Sequence, residues 1–462
     1  MHINRKINNI QQNRIKHHTQ ETNGSEFLDL LTHPQLFTAI EELLPTHRDR
    51  CFPPMETLSL FLAQCMNADS SCQNIVNEFV VQRISVGLQP YSTNTGSYCK
   101  ARQRLPLPML SSTTCLTGRF LDEITPEQWR WQGRRVRLVD GTTVTLPDTP
   151  ENQLVYPQQK GQEPGLGFPI CRIVGIICLA SGGILNASMG PFKGKGASEQ
   201  ALLRGMLDTF KIGDVVLGDA LFSDYFFLAE LIARGVDGVF EQLGARKNTT
   251  DFRKGIKLGP KDHLITYTKP KKKPEWMTEE YYLVAPETIT IRELSVGKKV
   301  LVTTLLSATE ASSKSLKVLY KNRWSVELDL RNIKTTLGME TLSCKTPEMA
   351  EKEMWTYFLA YNLIRIVMAE AASWADLLPR QISFKHTLQL WRACLRESFS
   401  LNDSEKVQRL LCAIAQNIVG NRPGRIEPRA VKRRPKPFPL LTKPRAQAKV
   451  EVKKNGHPKK QK

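Results

Sequence analysis

Along the chain, apolar residues fall into regimes of different rhythm. Residues 1–24 carry no hydrophobic period and read as a polar, basic tail. From Ser25 the pattern turns helical. Phe27, Leu28 and Leu31, then Leu36, Ile40 and Leu44, recur at three- and four-residue spacing, which lays an apolar stripe along a helix. Leu58–Met66 and Ile75–Ile84 continue the theme between breaks at Pro45 and Pro53–Pro54. The run Ser97–Leu105 ends at Pro106 and presents Lys100, Arg102 and Arg104. These segments predict a small all-helical domain over 25–128. Its basic helix is either a solvated face or a seat for DNA.

The texture changes after Trp129. Arg135–Asp140 (RVRLVD) alternates basic and apolar residues, and Thr142–Leu146 (TTVTL) is β-branched. Ile173–Leu179 and Asp214–Gly218 are buried-strand candidates. Phe226–Arg234 reads as a helix stopped by Gly235. Strands alternating with helices predict an α/β body over 129–400, with a β-rich stretch at about 239–306. Helices return from Ser315 to about Leu411, with a C-terminal helix in 401–420. The segment 421–462 contains seven prolines, which predicts an extended chain rather than a regular helix.

Charge changes the picture. The sequence has 65 Lys+Arg against 45 Asp+Glu, a net +20, and such a surplus seeks polyanions. Residues 421–462 alone carry a net +13 and the first twenty a net +4, so the 400 residues between are nearly neutral. The basic C-terminal segment is either a solubilising tail or a phosphate-binding element that releases counterions. The ten cysteines form no C-x-x-C pair and the eight histidines no H-x(3–5)-H pair, which argues against a disulfide framework and against a zinc site. The amino end lacks an apolar signal region, and Arg172, Asn362 and Arg365 interrupt the longest apolar runs. The expectation is a cytoplasmic protein with no membrane partner.

The segment 316–340 (LKVLYKNRWSVELDLRNIKTTLGME) holds most of the chemical information. At about 100° per residue, Tyr320, Arg323, Glu327, Arg331 and Lys334 share an arc of about 80°. Leu319, Val326, Leu330, Ile333 and Leu337 form a separate stripe facing inward. One reading is a salt-bridged surface helix, since Arg323–Glu327 and Glu327–Arg331 are both i,i+4 pairs. The other is a carboxylate that ligates a hard cation while the bases hold phosphates. Trp324, beside the polar stripe, reads as a packing residue. Asp140 and Asp219 each close a candidate strand, where α/β sheets bind ligands, although Asp140-Gly141 is equally the sequence of a hairpin turn.

The spacing Tyr320-x2-Arg323-x3-Glu327-x6-Lys334 resembles the signature of bacterial insertion-sequence transposases of the DDE type, specifically the insertion-sequence-four family. Leu138–Thr143 (LVDGTT) and Val216–Phe222 (VLGDALF) resemble the segments that carry that family's first and second aspartates, and all three stand in the family's order. The resemblance implies an RNase H-like catalytic domain interrupted by a β-rich insertion. It implies that Asp140, Asp219 and Glu327 bind two Mg2+ ions, with Mn2+ able to substitute. Tyr320, Arg323 and Lys334 would position the transposon end, with Arg331 adding a phosphate contact. The implied partners are double-stranded DNA, as terminal inverted repeats and target, and a second copy of the chain in a synaptic dimer.

One position departs from the pattern. Some relatives stack a flipped base on a tryptophan in the last strand of the insertion; the comparable position here is Val300, which offers no large π-face. Two other functions remain open on the residues alone: a metal-dependent nuclease that cuts without joining, and a DNA-binding regulator without catalysis. Gly190–Gly196 looks like a phosphate loop but lacks Ser or Thr after its lysine, and it reads as a basic turn.

Overall fold

The computed structural model describes residues 34–44, 51–194, 196–244, 250–396, 403–420 and 440–457. The tail expected at 1–24, the first repeats at Phe27–Leu31 and residues 421–439 lie outside the described residues. Five helices come first: α1 (Pro34–Glu42), α2 (Pro54–Met66), α3 (Cys72–Ser85), α4 (Gly96–Arg104) and α5 (Leu107–Glu123). Proline at the first turn starts α2 and α5, where no N–H is lost. The Ser71 hydroxyl caps α3 by accepting from the Asn74 N–H.

The body follows with β1 (Val136–Thr145), α6 (Pro150–Val155), β2 (Ile170–Cys178), β3 (Ile184–Pro191), α7 (Glu199–Arg204), β4 (Val215–Leu217), α8 (Tyr225–Ala233) and β5 (Asp237–Glu241). Then come β6 (Ile256–Gly259), β7 (Asp262–Thr268), α9 (Glu279–Val284), β8 (Thr288–Val296) and β9 (Lys299–Thr303). All nine strands join one sheet in the order β3-β2-β1-β4-β5-β9-β8-β7-β6. β1, β4 and β5 run parallel, and the remaining pairings are antiparallel. Strands β6–β9 therefore extend the same sheet past β5.

The helical return comprises α10 (Ser313–Lys321), α11 (Trp324–Arg331), α12 (Pro347–Ala375), α13 (Phe384–Arg396) and α14 (Ser404–Ala415). Helix α12 is the spine of the molecule, with nearly all of its 29 residues buried. Helix α5 lies between it and β3, and Gly118 permits the approach: a Cβ there would sit 1.9 Å from the Ile184 carbonyl oxygen. The Asn362 side chain closes the junction by donating to the carbonyls of Thr114 and Ile184.

Three expectations change. The amino-terminal helices do not keep a core to themselves: Leu36, Leu58 and Phe61 share one apolar cluster with the sheet and α12, and only a satellite around Phe52, Phe79 and Tyr98 is their own. The segment 316–340 is not one α-helix. It is α10, a bend at Asn322–Arg323, α11, and a π-helical turn over Asn332–Leu337 that ends at Gly338 with φ 103°. The C-terminal segment contains a helix, α15 (Arg445–Asn455). It fits between Pro444 and Pro458, so the prolines exclude helix only where they stand. All ten cysteines are free thiols.

Candidate active site

Strands β1 and β4 set the site. Their pairing ends at Leu138↔Leu217; two residues further on, Asp140 lies within β1 and Asp219 lies just past the end of β4. Neighbouring strands are about 4.8 Å apart, so the chain positions of the two aspartates are neighbours, and the Asp219 charge acts on the Asp140 carboxyl. Asp140 is no hairpin turn: it lies inside β1 and pairs with Gly175 of β2. One Asp140 oxygen accepts the Gly141 N–H at 2.8 Å. Asp219 caps the short 3-10 turn Ala220–Phe222 by accepting the Leu221 N–H at 2.8 Å.

Burial pushes the Asp140 carboxyl up to about 6, and the Asp219 charge adds to the rise against the lowering by the Gly141 N–H and Arg323. The Asp140 carboxylate, inside β1, therefore sits short of donors and beside a like charge, the setting in which acids acquire perturbed titration.

Arg323, at the bend before α11, reaches both sides. It donates to Glu327 at 2.8 Å and approaches Asp140 at 3.9 Å. The guanidinium thus occupies the space between the first and third predicted carboxylates. Among the described residues no three His, Cys, Asp or Glu side chains stand close enough together to hold a metal ion. Arg323 serves Glu327 as its counter-charge. Carboxylate oxygens such as those of Asp140 and Asp219 are the donor type that a hard cation takes.

The apolar stripe of this segment is buried as predicted at Leu319, Val326, Leu330, Ile333 and Leu337. On the polar face, Arg331 is exposed and Lys334 half-buried. Tyr320 is buried, with Lys299 6.0 Å from its ring centre, and burial holds its hydroxyl well above the usual phenol range. Trp324 does not pack as expected; it is 58% exposed. On α4, Lys100 and Arg104 face solvent, but Arg102 is buried. Its guanidinium donates to Gln64 at 3.2 Å and lies 4.6 Å from the Phe61 ring centre, so Arg102 holds the helical core and is closed to DNA here. Val300 is buried in β9, opposite Ser295.

Sequence reasoning misses the supports behind the site. Arg137, fully buried on β1, donates to Asp122 of α5 at 2.7 Å and to Asp214 at the start of β4 at 2.9 Å. That clamp fixes the two aspartate-bearing strands relative to each other. Asp329, two residues beyond Glu327, is also fully buried. It accepts from Tyr361 at 2.9 Å and from Arg380 at 2.9 Å, and it pairs with Arg365, so α11 is pinned to α12 from behind. Helix α7 adds Glu199, which pairs loosely with Arg172 at 3.7 Å and touches Gly141.

A family profile described as the transposase DDE domain matches residues 131–363, half of the chain. The chain belongs to the DDE transposases. It is 28% identical over 380 residues to the transposase InsG for insertion sequence element IS4 of Escherichia coli K12, covering 79% of this chain and 83% of that relative. The insertion-sequence-four resemblance read from the Tyr320–Lys334 signature agrees with this. A solved piggyBac transposase synaptic complex with hairpin DNA is similar over 86% of each chain, at 11% identity and a TM-score of 0.43. The matched region of this transposase contains β1, β4 and α11, hence all three predicted carboxylates. Among the described residues no helix is long and apolar enough to cross a membrane.

Proposed function

We propose that this transposase binds the ends of its insertion sequence and performs both strand cleavage and strand transfer there, using Asp140, Asp219 and Glu327 on an RNase H-like scaffold. The observation that carries the reading is the adjacency of Asp140 and Asp219 on parallel strands, with Arg323 linking Asp140 to Glu327. The strand order 3-2-1-4-5 for β1–β5, with β2 antiparallel to its neighbours, supports that scaffold. Strands β6–β9 play the part of the β-rich insertion.

Two Mg2+ ions, when bound, would activate water or a 3′-hydroxyl and stabilise the departing oxygen of an in-line displacement. Asp140 and Asp219 would hold them, and Glu327 would join by exchanging Arg323. Arg323, so released, has its guanidinium fork free for a phosphate. Lys334 and Arg331 on the following turns, and Lys100 and Arg104 on α4, would add contacts to the DNA backbone. The Arg137 and Asp329 clamps keep the carboxylate-bearing elements from drifting while these exchanges occur. A second copy of the chain would bring the other transposon end.

The test is Mg2+-dependent cleavage of DNA carrying the element's end by wild type, Glu327→Ala and Glu327→Gln. Wild type is expected to cut, and both variants to bind without cutting. Variants that cut at the wild-type rate would leave Glu327 as a salt-bridge residue and sink the assignment. Joined products in the same reaction support transposition; cutting without joining supports the nuclease reading instead.

A further inference from the structure

Helix α15 carries a line of bases that the fold leaves without counter-charges. At about 100° per residue, Arg445, Lys449 and Lys453 fall within an arc of about 80°, and all three are exposed. None of them has an ion-pair partner among the described residues; the one acid of the helix, Glu451, lies elsewhere on the wheel and pairs with Lys443 at 2.6 Å. Helix stability does not account for the line. Like charges at i,i+4 repel, and Arg445 stands in the first turn, where the helix dipole already presents positive charge.

The helix is nevertheless anchored. Pro444, Ala448 and Val452 form its half-buried line, and the Pro444 ring lies over Gly165, where a Cβ would come within 3.3 Å of it. Gly165 belongs to the connection between β1 and β2. Gln158 knits that connection into a platform, accepting the N–H groups of Gly165 and Gly167 and donating to the carbonyls of Gln162 and Glu163. The connection starts beside the turn that carries Lys334: the Lys334 carbonyl accepts the Glu340 N–H at 3.1 Å, and the Glu340 carbonyl accepts the Thr145 N–H at 3.2 Å. It is tied down again where the Thr149 hydroxyl donates to the Lys345 carbonyl at 2.7 Å. The bases of α15 are thus fixed to the chain that leaves the carboxyl end of β1, the end of the sheet at which the parallel strand β4 reaches Asp219.

We propose that α15 tracks the phosphate backbone of the duplex DNA bound by this transposase, with Arg445, Lys449 and Lys453 each taking a phosphate. This rests on the reading that the chain holds transposon-end DNA at Asp140 and Asp219. The chemistry of the line selects a duplex. Its bases repeat about every 6 Å along the helix axis, a row of cations to meet a row of anions, and the arc holds no apolar residue to enter a membrane. Contacts of this kind position the DNA without reading its sequence, so α15 adds affinity but no choice of site.

Fluorescence anisotropy over a salt series tests this, with the full chain titrated into a duplex carrying the element's end and into an unrelated duplex of equal length. The triple variant Arg445→Gln, Lys449→Gln, Lys453→Gln is expected to make the slope of log affinity against log salt shallower by about 2 to 3, equally on both duplexes. Lys449→Gln alone is expected to make it shallower by about one. Lys454→Gln removes the same charge from another side of the helix and is expected to leave the slope unchanged, and Lys449→Arg is expected to keep it. A wild-type slope in the triple variant overturns the proposal, and leaves the end-binding reading intact if wild type still prefers the element's end. Equal losses in Lys449→Gln and Lys454→Gln overturn it too, since α15 would then act only as diffuse charge. Wild type that holds both duplexes equally well sinks the end-binding reading instead, and the slopes still decide the role of α15. Melting temperatures of each variant separate lost contacts from lost fold.

Discussion

Glu293 and Asp140 are carboxylates on strands of the same sheet, and the chain surrounds them in opposite ways. Glu293, on β8, is fully buried and accepts from Tyr267 at 2.6 Å and from Gln242 at 2.7 Å, with His263 at 3.0 Å on its other oxygen. The second ring nitrogen of His263 is engaged by the Lys254 carbonyl at 2.7 Å. Asp140 receives a single backbone N–H from its own neighbour and faces Arg323 across 3.9 Å, with Asp219 and Glu199 as like-charged company. A carboxylate that holds a fold is given donors until its lone pairs are spent. Asp140 is left short of donors, and burial beside the Asp219 charge raises its proton affinity. Strands β8 and β1 thus hold the same functional group in two settings.

The largest effect that this contrast predicts is on activity. Asp140→Asn or Glu327→Gln should lower end cleavage about 1,000-fold or more, which is about 4 kcal/mol of barrier, without weakening DNA binding or lowering the melting temperature. The contrast fails if cleavage falls only in proportion to the folded fraction. Glu293→Ala should do the reverse. Removing the acceptor leaves a phenol, an amide and an imidazole buried without their partner, at about 3 kcal/mol of stability. The protein that remains folded should cleave at the wild-type rate. Denaturant midpoints and single-turnover cleavage on the same preparations decide it.

A smaller effect has a definite sign. The Asp140 carboxyl titrates near 6 in the folded chain and near 3.8 when unfolded. Between those values the folded state holds a proton that the unfolded state does not. The contribution of this group to stability therefore falls as pH rises from about 4 to 6 and stays low above it. In chelator, Asp140→Asn should match wild type near pH 4 and exceed it by about 1–3 kcal/mol at pH 7. Mg2+ should shrink that gap, because the cation replaces the missing donors. Chelated melts in which the variant is no more stable at pH 7 than at pH 4 would contradict the asymmetry between Asp140 and Glu293.

What could be read from the sequence follows the same division. Asp140 and Asp219 stood out as candidates because each follows a strand-like run, RVRLV and DVVLG. The stripe of Leu319, Val326 and Leu330 was legible because packing imposes a period. Its phase survives the bend because Asn322 and Arg323 keep helical dihedrals, although the continuous helix does not. Residues that act through tertiary pairing were hidden. Glu199 reads as an ordinary acid in a first helical turn after a serine cap. Arg102 reads as one base among three, and nothing local says that Gln64 and Phe61 enclose it. Asp329 had a faint signal: it lies about 180° from Tyr320 on the helical wheel, toward the apolar side, and Arg365 interrupts an apolar run thirty-six positions on. Two opposite charges at apolar positions mark a buried pair, but only the fold shows that they meet.

The finest probe concerns the bases around the carboxylates. Arg323 is spoken for by Glu327, whereas Lys334 has no ion-pair partner among the described residues and is half-buried on the π-helical turn. A lysine that serves phosphate is expected to be so placed, since any intramolecular partner would have to be surrendered on binding. Lys334→Ala should weaken binding of the transposon end, and the slope of log affinity against log salt should become shallower by about one counterion. Metal affinity without DNA should not move. Arg323→Ala should differ in kind: it removes the charge that restrains Glu327, so the two ends of the site become electrostatically alike in the free protein, and Mn2+ binding without DNA should tighten rather than weaken. A salt slope unchanged in Lys334→Ala would take Lys334 off the DNA path. Mn2+ binding weakened in Arg323→Ala would mean that the guanidinium organises the carboxylates instead of standing in for their cation.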